Sequence, residues 1–248
     1  METNSLLSMI KNEKIIFQDL TLKMISSLLS ALRHILKDAS LAVTPLPQTP
    51  GIRLHLLSGD YPTHRYTREE TRIIMEEPPY WAFCWASGQV LAKVILKNQE
   101  VFRDKVVMDF GAGSGVGALA AALAGARRAI ALDIDPLAQT ASAANGALNE
   151  VPVEVLGHWD WETQAVDVIL AADVLYDWEN LSLLEPFRHA APLVLIADSR
   201  VKNLSVPSYL KIGEAEATTC PDLGEPDEFN LVSIYQAGNK KGAFKGIY

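Results

Sequence analysis

Apolar positions change their period along this chain of 248 residues. Leu20, Leu22, Met24, Ile25, Leu28, Leu29, Leu32, Ile35 and Leu36 recur at spacings near three and four, the repeat of a helix with one buried side. This predicts helix within residues 5–40, docked at a domain edge. Prolines at 45, 47 and 50 break the pattern. Residues 52–57 read as a short strand, and Pro78-Pro79 ends any helix running through 68–76. From residue 105 the pattern is regular. Strands are predicted at 105–110, 129–133, 153–156, 166–172 and 193–197, and helices at 116–126, 136–149 and 178–190. Near-continuous apolar strands alternating with such helices indicate parallel βαβ units covered on both faces. Residues 214–219 and 229–236 instead alternate in polarity around a Pro/Asp/Gly loop, which predicts an antiparallel edge hairpin. The expected fold is α/β: a Rossmann-like, mostly parallel sheet with an antiparallel C-terminal hairpin. A helical extension is expected at 1–45 and the main domain at 46–248.

Composition narrows the function. A hydrophobic fraction of 49% supports one sizeable core. A net charge of −8 gives no global attraction to phosphate backbones, so nucleic acid is disfavoured as a partner. Cys84 and Cys220 are far apart in sequence and form no CxxC pair, so no metal site is expected and a reducing compartment fits. Cytoplasm is the expected location, or the mitochondrial matrix in a eukaryote. The chain has no apolar run long enough for a membrane span and no basic n-region of a secretory signal. His55, His64 and His158 could approach a site, but none has metal-ligand spacing.

The candidate chemistry lies where strands end. Asp109-Phe-Gly111-Ala-Gly113-Ser-Gly115 runs from strand through glycine turn to helix, the place where open parallel sheets bind ligands. Glycines there let the backbone turn sharply and approach a ligand closely. Gly113 to Ala118 also satisfies the dinucleotide pattern GxGxxA. Asp109 argues against a pyrophosphate, which its charge would repel in a poorly solvated cleft. It favours the cationic amino group and sulfonium of S-adenosylmethionine, directly or through the loop and water. Asp133 ends the next strand, where an acid can accept from both ribose hydroxyls; Asp135 is the better cap for the following helix. Asp160 and Trp161 follow the third strand, placed to accept from an adenine amine and to wall the pocket. Asp173 and Tyr176 follow the fourth, where the transferred methyl group is expected. Aspartate can pair with a lysine ammonium, and tyrosine can close the pocket and bond the amine. The competing readings are structural: a turn acid beside a core tryptophan at Asp160, and a helix cap at Asp173.

The tryptophan-rich stretch Pro78-Pro-Tyr-Trp-Ala-Phe-Cys-Trp-Ala-Ser-Gly88, with the glycine loop, Asp133-Ile-Asp-Pro136 and Asp173-Val-Leu-Tyr176, resembles family 16 of the seven-strand (class I) S-adenosylmethionine-dependent methyltransferases. It is similar above all to the lysine methyltransferases of electron transfer flavoprotein β-subunit and their bacterial relatives. The resemblance covers roughly residues 50–236. It implies that Trp85 and Gly88 line the cofactor pocket, Asp109 and the glycines hold the methionine end, Asp133 the ribose and Asp160 the adenine. It further implies that Asp173 and Tyr176 lie at the target-lysine pocket, and that the partner is a lysine-bearing protein, the flavoprotein subunit or a ribosomal protein. A small-molecule N-methyltransferase, a non-catalytic cofactor-binding interaction protein and an NAD(P)-dependent oxidoreductase are the alternatives. Glu77-Pro-Pro-Tyr80 is like the NPPY box of nucleic-acid amino-methylating enzymes, but it begins with Glu and precedes the glycine loop.

Overall fold

The computed structural model describes residues 2–62, 72–74, 76–175, 178–238 and 244, without the side chains of 2–15, 17 and 178. Helix α1 (Glu2–Ile35) leads into a two-stranded antiparallel ribbon, β1 (Leu41–Pro45) and β2 (Arg53–Leu57). Helix α2 (Ala86–Lys97) follows the tryptophan-rich segment. The alternating portion is β3 (Val106–Phe110), α3 (Val116–Leu123), β4 (Arg128–Leu132), α4 (Pro136–Leu148), β5 (Glu154–Leu156), β6 (Val168–Ala172), α5 (Leu184–Ala190) and β7 (Leu193–Asp198). Strands β8 (Leu210–Glu216) and β9 (Leu231–Gly238) close the chain.

The main sheet is ordered β5-β4-β3-β6-β7-β9-β8. β3 to β7 are mutually parallel where paired; β9 is antiparallel to β7 and β8 is antiparallel to β9. The predicted hairpin is therefore present, with its second strand inserted against the parallel block. The chain winds outward from β3 to β5, then returns to β6 on the other side of β3. The loops after β3 and β6 consequently diverge, the switch point at which open parallel sheets bind ligands. Side chains alternate between the faces: Val107, Val168 and Leu170 pack with α2 and α3, while Met108, Ile169 and Ala171 pack with Phe187 of α5.

Local chemistry explains the boundaries. α3 stops at Leu123 because Gly125, at φ +86°, closes it with Ala126 N–H donating to Ala121 and Gly125 N–H to Ala122. Asp135 caps α4 by accepting from Leu137 N–H, with Pro136 at the first helical position. The predicted helix at 178–190 is split: a 3-10 segment, Trp178–Leu183, precedes α5. Pro186 lacks an N–H and would clash with a carbonyl one turn earlier, so it fits only the first turn of a helix that starts at Leu184.

α1 docks through its C-terminal third. Leu28, Leu32 and Leu36 are fully or almost fully buried, among Leu57, Trp81, Phe83 and the Ala138, Ala141 and Ala144 stripe of α4. Small side chains on α4 let the leucines seat closely. Ile16, Leu20 and Leu22 remain 54–68% exposed. A groove of about 670 Å³ runs along α1, lined by Lys23, Ser27, His34, Glu77 and Leu137 among others, and excludes the glycine loop. Among the described residues, no helix is long and apolar enough to cross a membrane. Cys84 and Cys220 meet as free, buried thiols across an isolated antiparallel bridge.

Candidate active site

The loop after β3 turns on three positive φ angles, at Gly111 (+65°), Gly113 (+53°) and Gly115 (+81°). A Cβ at Gly115 would lie 2.7 Å from Ser142 Oγ, so α4 can approach only because nothing projects there. Asp109 supports this loop from below. It is 3% exposed, its Oδ2 accepts from Ala118 N–H at 3.0 Å, and its carboxylate packs where a Gly117 Cβ would be, 2.6 Å away. Burial pushes its carboxyl up to about 7, against the lowering effect of the Ala118 N–H; Asp133 adds to the rise. Its carboxylate is thus engaged by the start of α3, beneath the loop.

Asp133 follows β4 and closes the loop from the side. Its Oδ2 accepts from Gly113 N–H at 2.9 Å and its Oδ1 from Asp135 N–H at 3.0 Å. One carboxylate oxygen is thus joined to the turn that a ligand would approach. The next residue, Ile134, is 90% exposed, the most open large apolar side chain described.

Helix α4 supplies further supports that the sequence did not reveal. Ser142 Oγ donates to Gly113 O at 3.3 Å and Asn145 Nδ2 to Ser114 O at 2.9 Å. Asn145 Oδ1 also accepts from His55 N–H at 2.7 Å and lies 3.2 Å from His55 Nδ1. His55 is buried, which lowers its pKa. It braces the loop from behind. His158 is exposed, and His64 lies outside the described residues.

The tryptophan-rich segment reaches the same loop. Trp85, half-buried, donates from Nε1 to Tyr80 O at 3.1 Å, and that carbonyl is 4.0 Å from where a Gly113 Cβ would sit. A Cβ at Gly88 would meet Val116 Cγ1 at 3.0 Å, so Gly88 permits α2 to pack on the start of α3. Trp85 and Gly88 therefore lie beside the glycine turn and the start of α3.

Asp160 turns inward on its own loop. It accepts from Thr163 Oγ1 and from Glu162 N–H at 3.0 Å, and the Thr163 hydroxyl is the main cause holding its carboxyl below the usual range. Trp161 is 43% exposed, whereas Trp159 is the buried tryptophan, with Arg128 stacked over its ring.

Asp173 follows β6 at φ +50°. Its Oδ1 accepts from Ser87 Oγ at 2.7 Å, Ser199 N–H at 2.8 Å and Ser199 Oγ at 2.7 Å; its Oδ2 accepts from Ser87 N–H at 3.2 Å. Among the described residues, the helix it caps is α2. Tyr176 lies outside the described residues. Asp198, at the end of β7, is an unforeseen neighbour: fully buried, accepting from Arg200 and Val201 N–H, and raised in pKa by burial and by Asp173. Lys202 Nζ donates to Ser199 O at 2.5 Å and to Leu231 O, and burial lowers its pKa.

Asp109, Asp133, Asp173 and Asp198 line the carboxyl ends of β3, β4, β6 and β7. Asp109 and Asp198 are buried and Asp133 and Asp173 half-buried; this acidic edge suits a cationic ligand better than a pyrophosphate. The donor set fits S-adenosylmethionine: open glycines at the turn, and an acid joined to it at the ribose position.

A protein-family model described as Ribosomal protein L11 methyltransferase (PrmA) matches residues 89–178. The electron transfer flavoprotein beta subunit lysine methyltransferase of Homo sapiens is 36% identical over 132 residues, 52% of this chain and 49% of that protein. Its Caenorhabditis elegans homolog is 37% identical over 103 residues, 42% of this chain and 41% of that protein. The ribosomal protein L11 methyltransferase of Psychrobacter cryohalolentis is 34% identical over 115 residues, 43% of this chain and 37% of that protein. The chain spans about half the length of the flavoprotein relatives it matches. A solved ribosomal protein L11 methylase from Lactobacillus delbrueckii subsp. bulgaricus is 20% identical, with a TM-score of 0.45 over 62% of this chain and 79% of that one; the fold rests on the sheet order itself. In sequence, and in the glycine turn closed by Asp133 on this sheet order, the chain is similar to the class I S-adenosylmethionine-dependent methyltransferases.

Proposed function

We propose that this chain is a protein-lysine N-methyltransferase, with residues 46–248 as the catalytic domain and 1–45 as an extension docked on it. The observation that carries this is the acidic carboxyl edge, with Asp173 held as an acceptor between α2 and β7. S-adenosylmethionine, when bound, supplies an electrophilic methyl group. Gly111, Gly113 and Gly115 receive its methionine end, Asp133 accepts from its ribose, and Trp85 walls the pocket. Asp173 accepts from the incoming ammonium and aligns the nitrogen, whose proton leaves to solvent or to a carboxylate. Likeness to the flavoprotein lysine methyltransferases over half the chain supports lysine over a small-molecule amine.

The test is incubation of the protein with radiolabelled S-adenosylmethionine and cell extract, followed by mass spectrometry of labelled bands, beside calorimetry with adenosylhomocysteine and NAD. Micromolar adenosylhomocysteine binding and label on lysine are expected. Label confined to small molecules would favour the small-molecule reading. Binding of NAD without adenosylhomocysteine would overturn the cofactor assignment.

A further inference from the structure

We propose that Ser87 and Ser199 are positioning residues that fix the Asp173 carboxylate for an acceptor ammonium; this rests on the lysine reading above. Three separate elements converge here: the first turn of α2, the end of β6 and the residue after β7. Capping α2 uses only the Ser87 N–H bond at 3.2 Å. The two hydroxyl bonds at 2.7 Å, and the Ser199 N–H at 2.8 Å, go beyond a cap.

The distribution over the two oxygens is uneven. Among the described residues, Oδ1 accepts three short bonds and Oδ2 accepts the long one. A carboxylate oxygen has about two lone-pair sites. Oδ1 is therefore saturated, and the remaining acceptor capacity is on Oδ2. Each serine has one hydroxyl proton and donates it to Asp173. Asp173 also sits at φ +50°, a backbone state unusual for a non-glycine residue and maintained where surrounding bonds over-determine it. The arrangement orients one oxygen of a charged carboxylate and leaves it room for a single donor. A primary ammonium meets that requirement; a hydroxyl acceptor gains less, because it brings no opposing charge.

The experiment titrates Nα-acetyl-lysinamide into the adenosylhomocysteine complex by NMR, with thermal midpoints measured for every variant. Ser199→Ala is expected to weaken amine binding about fivefold while keeping adenosylhomocysteine affinity within about threefold. Ser199→Thr, which keeps the hydroxyl, is expected to restore it. In an Asp173→Asn background, Ser199→Ala is expected to have no further effect, the non-additivity of residues acting through one group. Ser87→Ala repeats the test from the other side. Unchanged amine affinity in Ser199→Ala, or an equal loss in the Asp173→Asn background, overturns the positioning role while the lysine reading stands. No amine binding to the parent protein, with adenosylhomocysteine still bound, overturns the lysine reading and the positioning role with it.

Discussion

The Asp109 carboxylate occupies the space beside Gly117 so closely that a Cβ there would lie 2.6 Å from its oxygen. A second consequence is that the first turn of α3 can donate Ala118 N–H to the same carboxylate. Gly117→Ala is therefore expected to displace Asp109 and to strain the loop above it. Overpacking of a tight interior costs about 1–3 kcal/mol, and adenosylhomocysteine affinity is expected to fall at least about tenfold, near 1.4 kcal/mol. Thermal unfolding and calorimetry on the same variant check both losses.

Asp109 also makes stability depend on pH in a definite direction. Its carboxyl is raised from 3.8 to about 7 in the folded chain, chiefly by burial. The unfolded chain releases this proton near pH 4 and the folded chain near pH 7, so between those values the unfolded state binds fewer protons. Stability from this group is full below about pH 4 and is lost as pH rises towards 7. The shift corresponds to on the order of 4 kcal/mol. Asp109→Asn is expected to flatten the urea-measured stability over that window relative to the parent; an unchanged slope would remove Asp109 as its source. A cationic ligand above the loop should favour the charged form, so cofactor binding near pH 7 is expected to release a proton.

Asp133 combines two duties that a variant will lose together. It holds Gly113 N–H and it is placed for ribose hydroxyls. Asp133→Ala is expected to weaken adenosylhomocysteine by about 10- to 100-fold, the range for lost hydrogen bonds to a charged group. Calorimetric affinity equal to the parent would take Asp133 out of the site.

Much of this was legible in the sequence because strand ends and glycine turns are local. Asp109, Gly113 and Asp133 stand out from strand–turn spacing; the structure bonds Gly113 to Asp133 and ties Asp109 to Ala118 in the first turn of α3. The supports from α4 were not legible, because Ser142 and Asn145 lie on a helix of ordinary composition and their target is a backbone carbonyl. Asp173 was seen, but its partners Ser87 and Ser199 are 86 and 26 residues away. Only the β6–β7 pairing and the seating of α2 bring them together.

The docking of α1 yields a contrast within one helix. Leu32 is fully buried against the alanine stripe of α4, whereas Leu20 is 54% exposed. Leu32→Ala is expected to cost about 2–5 kcal/mol in urea unfolding, since it removes buried area and leaves a cavity. Leu20→Ala is expected to stay within about 0.5 kcal/mol. Hydrogen exchange should protect residues 24–36. Rapid exchange there in the isolated protein would mean that the segment waits for a partner.

Removing the charge of Asp173 separates its proposed chemical role from its structural one. Asp173→Ala would strand two serine hydroxyls and place alanine at φ +50°, so a loss of activity could reflect a collapsed loop. Asp173→Asn keeps the shape and an acceptor oxygen for the short bonds, and loses the negative charge. If the charge guides an ammonium and holds the nitrogen in line, single-turnover methyl transfer should fall at least about 100-fold, close to 3 kcal/mol of transition-state stabilisation. Adenosylhomocysteine affinity should change by less than about threefold, because the glycine turn and Asp133 are untouched. The paired measurement, made once a labelled protein acceptor has been isolated from extract, distinguishes the outcomes. Full turnover in Asp173→Asn would leave Asp173 as a cap on α2, and the lysine pocket would then have to be sought elsewhere along the carboxyl edge.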